Sequence, residues 1–269
     1  MTLLVRYGEI GLKGRPIRQQ FENILLGNIH RALSWAGVAH TTSRQRGRLY
    51  VETDDADAAM EVLGEVFGIV SLSPASETSA DLPGVASAAA SFASNITGGE
   101  SFAIRATRTG SHAFTSQDVG VAAGQAVVDV TGATVNLGSP DRDIGVEVRG
   151  SRAYVFDTTR DGPGGLPYGS QGYVVAAVAD EGDLQAAWLM MRRGCTAVFV
   201  CRPEMEPVIR ERLRWRPADI ITANGDLFEQ AEQLALQRNA QGLVTGEDRY
   251  EKRGLPVFYP LLGYREVVP

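Results

Sequence analysis

A chain of 269 residues with 44% apolar content has material for two or three compact domains, each with its own core. It contains no run of about 18 apolar residues, and its N-terminus lacks a basic region followed by an apolar segment, so no membrane partner and a cytoplasmic location are expected. A net charge of −6 and a pI near 5.2 exclude a uniformly basic nucleic-acid binder and leave such a role to a local basic face.

Lys13 and Lys252 are the only lysines, so the positive charge is nearly all guanidinium, which suits bidentate phosphate contact. Coding bias or a salty cytosol would give the same lysine-poor, acidic balance. Cys195 and Cys201 do not make a disulfide framework or a zinc spacing, and the histidines are scattered, so no metal site is expected from them.

Leu3 to Arg6 reads as a short strand. Phe21, Ile24, Leu25, Ile29, Ala32 and Leu33 fall at helical spacing across Arg15 to Trp35, with Gly37 as the stop. Two β-type runs, His40 to Thr42 and Leu49 to Glu52, flank Arg44-Gln-Arg-Gly-Arg48 and predict a hairpin with a positive tip. A helix over Asp55 to Val66 and a strand through Ile69 to Leu72 complete a ferredoxin-like β-α-β-β-α-β order, placing a first domain at 1–76.

The alanine- and serine-rich stretch Pro83 to Ser94 keeps a helical apolar face through Val85, Ala88, Ala89, Phe92 and Ala93. A strand at Phe102 to Arg105, a helix at Ser116 to Val128, and strands Ile144 to Arg149 and Ala153 to Asp157 joined at Gly150-Ser151 make a second α/β unit, 77–160. Asp161 to Gly172 is too rich in glycine and proline for a helix or strand to run through, which predicts a hinge at 161–172.

Residues 173–269 alternate: strand Tyr173 to Val178, helix Asp183 to Arg193, strand Thr196 to Cys201, helix Glu204 to Leu213, strand Asp219 to Thr222, helix Leu227 to Arg238, strand Gly242 to Val244. That pattern predicts a doubly wound parallel sheet, with ligands beyond the carboxyl ends of its strands. The expected fold class is therefore α/β and α+β: a ferredoxin-like domain, a second α/β domain, and a doubly wound domain.

Arg6-Tyr-Gly-Glu-Ile-Gly-Leu-Lys-Gly-Arg15 with Phe21 and Asn28, then Phe67-Gly-Ile and Ser73-Pro-Ala, resembles the opening of the tRNA 4-thiouridine synthetases, or tRNA sulfurtransferases. Phe102-Ala-Ile-Arg-Ala-Thr-Arg108, Phe114-Thr-Ser-Gln, Val135-Asn-Leu and Val146-Glu-Val-Arg149 resemble that family's THUMP domain. Gly164-Gly-Leu-Pro-Tyr-Gly-Ser-Gln-Gly172 is similar to its hinge. The resemblance implies that the first two domains grip the acceptor end of tRNA, and that a C-terminal PP-loop pyrophosphatase-type domain adenylates a uridine with ATP and Mg2+, then accepts sulfur through a cysteine.

The local chemistry agrees with the RNA half. Lys13, Arg15 and Arg18 surround a helix start, where free N–H groups favour phosphate. Arg6 lies in the same segment, and Tyr7 has a ring able to stack on a base or to fill a core. Arg44, Arg46 and Arg48 on the hairpin, with Arg105, Arg108 and His112, are expected to form a second basic patch.

The family's Ser-Gly-Gly-x-Asp-Ser phosphate loop corresponds to Val178-Ala-Asp-Glu-Gly-Asp183, between a conventional strand and the well-matched Ala186-Ala-Trp-Leu-Met-Met-Arg-Arg-Gly194. Nucleotide contacts, if any survive, fall on Ala177, Val178, Ala179, Asp180, Gly182, Asp183, Cys201 and Gly246, with ATP and Mg2+ as the cofactors. Three acids are expected to crowd the anion site there. Ala223-Asn-Gly-Asp226 has no thiol where the family carries its sulfur-bearing cysteine, and Asp248 to Arg253 replaces a Ser-Gln-Thr stretch after the matching Thr245-Gly-Glu247. The chain closes at Pro269, ahead of the family's last helices.

Two readings follow. In one, the chain is a non-catalytic or impaired tRNA-binding member, with no catalytic residue assigned. In the other, it is an active ATP-dependent tRNA sulfurtransferase with a divergent site, served by a cysteine desulfurase or another sulfur donor. Homodimerisation stays open.

Overall fold

The computed structural model describes residues 1–45, 47–93, 96, 99–247 and 254–262. In chain order the elements are β1 (Thr2–Tyr7), a 3-10 turn (Glu9–Leu12), α1 (Arg15–Trp35), β2 (Thr41–Gln45), β3 (Arg48–Glu52), α2 (Ala56–Leu63), β4 (Ile69–Ser79) and α3 (Leu82–Phe92). β5 (Ser101–Thr109), α4 (Ser116–Thr131), β6 (Thr134–Val135), β7 (Arg142–Arg149), β8 (Arg152–Phe156) and β9 (Arg160–Asp161) follow. The last part is β10 (Tyr173–Val178), α5 (Glu181–Arg192), β11 (Thr196–Cys201), α6 (Met205–Leu213), β12 (Ile220–Thr222), α7 (Leu227–Gln237), β13 (Leu243–Val244) and β14 (Val257–Phe258). Packing divides the chain into two compact units, one of Met1–Val5, Ala39–Met60 and Ser71–Asp161, the other of Arg6–Val38, Glu61–Val70 and Gly162–Pro269.

The first unit is built on a sheet of order β2-β3-β1-β4-β8-β7-β5-β6, with β9 beside β4. Its ferredoxin-like part, β2-β3-β1-β4, and its second α/β part are one continuous sheet because β4 is longer than the sequence predicts. Residues Ser71 and Leu72 of β4 pair with β9, and Ser76 to Ser79 pair with β8. Pro74 lies between these two ladders.

One face of the β5–β7–β8 region buries Phe102, Ile144, Val146, Val148, Ala153 and Val155 beneath α3 and α4. Asp81 caps α3 through the Gly84 N–H, while Thr115 and Asp118 form a reciprocal capping box on α4. On the other face Leu4, Tyr50, Ala75 and Tyr154 form a small cluster with Phe156. The Phe156 ring lies over Gly145, where a Cβ would stand 2.2 Å from ring carbons.

The second unit contains a parallel sheet of order β12-β11-β10-β13-β14. Alternate residues enter two cores: Val174, Ala176, Val178, Phe199 and Cys201 pack with α5 and α6, while Val175, Ala177, Val198 and Val200 pack with α7. Burial on both faces explains why these strands are apolar throughout. The segment expected as a hinge is pinned within this unit. Gly164 N–H donates to the Ile69 carbonyl, Leu166 N–H to Arg192 and Gln171 N–H to Gly194, and Leu166 and Tyr168 are buried. Phe67 joins the α5–α6 core, where its ring meets Trp188 edge-on at 4.8 Å.

Candidate nucleic-acid interface and strand-end crevice

In the second unit, Lys13 and Arg15 are exposed at the start of α1. Gly14 is the N-cap, no side chain caps it, and no acid lies in the first turn, so the positive end of the helix faces solvent beside two cations. Exposed Leu12 and Ile17 flank them. Arg18 stands 3.9 Å from Glu22 and is partly neutralised. Arg6 is half-buried. Tyr7 is a correction to the sequence reading: it is buried, and its hydroxyl donates to Glu22, so its ring is a core group and not a platform for a base.

In the first unit the basic hairpin also differs from expectation. Arg44 lies within β2 and is exposed. Arg46 is outside the described residues. Arg48 lies within β3, and its Nε and Nη2 reach Glu147 at 2.9 and 3.2 Å. Arg149 Nε reaches the same carboxylate at 3.0 Å. A carboxylate that is 4% exposed between two guanidiniums holds the sheet's two parts together and commits Arg48 to that task.

Arg105 and Arg108 are three positions apart on β5, so they leave opposite faces of the sheet and do not make one patch. Arg105 is exposed and pairs with Asp143 at 2.7 Å. Arg108 donates to the Gly110 carbonyl at 2.9 Å and lies 3.2 Å from His112 Nδ1. His112 Nε2 lies 2.7 Å from the Gly150 carbonyl, so these two residues fix the 110–112 turn against the β7–β8 turn. On the helix side of β5, Phe102, Ile104, Gly120, Val121, Gly124 and Leu137 line a groove of about 580 Å3. Its apolar walls suit a flat unpaired base better than a phosphate.

At the carboxyl ends of β10 and β13 lies the crevice where the strand order reverses. Ala177 and Val178 are buried strand residues, while Ala179, Asp180 and Glu181 are exposed. Asp180 caps α5, its Oδ1 accepting the Asp183 N–H at 3.0 Å. Asp183 turns inward. Its Oδ2 accepts the Ala179 N–H at 2.9 Å, and its Oδ1 accepts the Gly246 N–H at 2.6 Å and the Thr245 hydroxyl at 3.0 Å. The expected crowd of three acids is thus corrected to one buried carboxylate, one helix cap and one solvent-facing Glu181.

Cys201 is fully buried in the α5–α6 core. Burial, reinforced by Glu206, pushes its thiol above the ordinary range, and burial does the same to Cys195, so neither is a ready thiolate. Asp248 to Arg253 lie outside the described residues. Among the described residues no group of three or more His, Cys, Asp or Glu side chains is arranged to hold a metal ion, and no helix is long and apolar enough to cross a membrane.

The sequence reading passed over Arg216. Arg216 is 2% exposed, and its guanidinium lies 4.5 Å from the Trp188 and Trp215 ring centroids and 4.9 Å from that of Phe67. It donates to the Glu65 carbonyl, and burial pulls its pKa down to about 10 against the opposing pull of Glu65. The alternation Arg210-Glu-Arg-Leu-Arg-Trp-Arg216 was the available signal, but which of its arginines turns inward depends on aromatic rings from distant segments.

Residues 2–73 match the ThiI ferredoxin-like domain and residues 80–157 the THUMP domain. A probable tRNA sulfurtransferase of Methanosarcina acetivorans is 43% identical over 222 residues, covering 78% of this chain and 54% of that protein. One from Methanothermobacter thermautotrophicus is 38% identical over 206 residues, 74% of this chain and 52% of the relative. The chain therefore spans about half the length of the curated relatives it matches. Among solved structures, PH1313 from Pyrococcus horikoshii is 28% identical with a TM-score of 0.85, covering 98% of this chain and 95% of that one. A 4-thiouridine synthetase crystallised with RNA and bound ATP is 23% identical, with a TM-score of 0.79 and coverage of 98% and 81%, a likeness that shows the fold. With its two N-terminal domains matched and its fold shared, the chain belongs to the tRNA sulfurtransferase, or 4-thiouridine synthetase, family.

Proposed function

We propose that this protein binds tRNA through residues 1–160 and that its last domain does not carry the thiolation chemistry. The observation that supports RNA binding most directly is the exposed Lys13 and Arg15 beside the uncapped start of α1, in a chain that also holds a THUMP domain. Arg44 and Arg105 add exposed guanidiniums in the other unit. The apolar groove over α4 would take unpaired bases of the acceptor end. The structurally similar synthetase whose complex holds RNA supports the same class of partner.

The reading against thiolation rests on the missing parts. Residues 179–181 carry side chains where a phosphate loop needs glycine, residues 223–226 offer no thiol, and Cys201 is sealed in a core. The family's ATP does not fit the residues present, so no reaction step is assigned to it. The protein is expected to act in the cytoplasm, beside or apart from a complete enzyme.

The test is tRNA binding across a salt series for the full chain and for Lys13→Ala, Arg15→Ala and Arg105→Ala. Each lost phosphate contact is expected to weaken binding and reduce the logarithmic salt slope by about 1. Unchanged affinity and slope in all three would overturn the assignment of these cations. Formation of 4-thiouridine from unmodified tRNA by the purified protein with ATP, Mg2+ and sulfide would favour the active enzyme instead.

A further inference from the structure

The crevice between β10 and β13 already contains an anion of the protein's own. Ala179 N–H, Gly246 N–H and the Thr245 hydroxyl converge from two separate loops on one carboxylate, that of Asp183, which is 7% exposed. Two backbone N–H groups and a hydroxyl aimed at one point are the donors that an oxyanion would use. We propose that Asp183 is a built-in counter-anion that fills the pyrophosphate cradle and keeps this domain closed without nucleotide.

Both charge and space support this. A phosphate entering the cradle would have to displace the carboxylate or lie against a buried negative charge. The two loops are also in direct contact. A Cβ on Gly246 would stand 2.5 Å from the Gly182 carbonyl carbon and 2.6 Å from the Asp183 nitrogen, so the two loops meet at Asp183 and turn their donors onto its side chain. Thr245-Gly246, which resembles the family's motif, here binds the protein's own side chain. Replacing Asp183 by serine removes the charge and shortens the side chain, which frees the two N–H groups and the hydroxyl for an outside anion.

The experiment is calorimetric titration of the full chain and of Asp183→Ser with inorganic pyrophosphate and with Mg-ATP. The wild type is expected to give no saturable binding, and Asp183→Ser to bind pyrophosphate at least about tenfold more tightly than the wild type. Saturable wild-type binding of either ligand overturns the proposal, as does a folded Asp183→Ser protein that binds no better than wild type. Amide hydrogen exchange on the wild type decides the matter if the variant does not fold. The N–H groups of Ala179 and Gly246 should be protected without ligand and unaffected by Mg-ATP; rapid exchange, or slowing by Mg-ATP, overturns the idea. tRNA binding, measured in parallel, reports separately on the RNA-binding reading.

Discussion

Arg48 on β3 and Glu147 on β7 meet across the face of a sheet in which three strands, β1, β4 and β8, separate their own. Such a contact requires the sheet to curl, and the cluster of Leu4, Tyr50, Ala75 and Tyr154 lies on the concave side. Glu147→Gln would leave Arg48 and Arg149 without their shared carboxylate. Removing one member of a largely desolvated charge group should destabilise the protein by about 3 kcal/mol, read as a lower urea midpoint at unchanged slope. A shift within error of zero would show that solvent already satisfies the two guanidiniums.

Gly145 permits the Phe156 ring to lie close against β7. Gly145→Ala places a methyl group 2.2 Å from ring carbons, and overpacking of this kind is expected to cost about 1–3 kcal/mol. The pair is testable as a cycle: Phe156→Leu should relieve most of the cost in the Gly145→Ala background while being mildly destabilising alone. Additive effects of the two changes would contradict direct crowding.

Arg216 lies among Phe67, Trp188 and Trp215. Arg216→Leu keeps bulk but removes the donor to the Glu65 carbonyl, so a loss of about 2–4 kcal/mol is expected from the unsatisfied buried acceptor and lost cation–π contacts. Trp188 and Trp215 make the change visible, because their fluorescence should shift red as water enters. Arg216→Lys is expected to rescue little, since an ammonium cannot reproduce a flat guanidinium against several rings.

The two thiols give a pH-dependent check. Burial raises both above the ordinary thiol range. A thiol with a raised folded pKa stays protonated over a wider range than in the unfolded chain. At pH 8 the native protein should therefore react with a thiol reagent far more slowly than the denatured one, with both sulfurs appearing together on unfolding. Rapid native labelling of Cys201 would contradict its burial in the α5–α6 core.

Strands β10 and β11 were readable to the residue, as Tyr173 to Val178 and Thr196 to Cys201, because burial on both faces writes an unbroken apolar run bounded by glycine or a charged turn. Helix α1 was equally legible from Phe21, Leu25, Ile29 and Leu33 on one face, and the parallel fold of the last domain followed from its strand–helix alternation. β4 was cut short at Leu72, since a sequence shows Pro74 but not the change of partner from β9 to β8 on either side of it.

The sequence by itself determined the fold class, the family and the substitutions in the phosphate loop, because these are carried by local periodicity and by the order of motifs. Tertiary structure decided which charged groups are available and which are spent. Arg48 is held by a carboxylate 99 residues away, Tyr7 is turned into a core, and Asp183 is received by Thr245, 62 residues further on. The physical reason is that a guanidinium or carboxylate is defined by what desolvates and faces it, and in this protein those partners come from strands and loops far away in the chain.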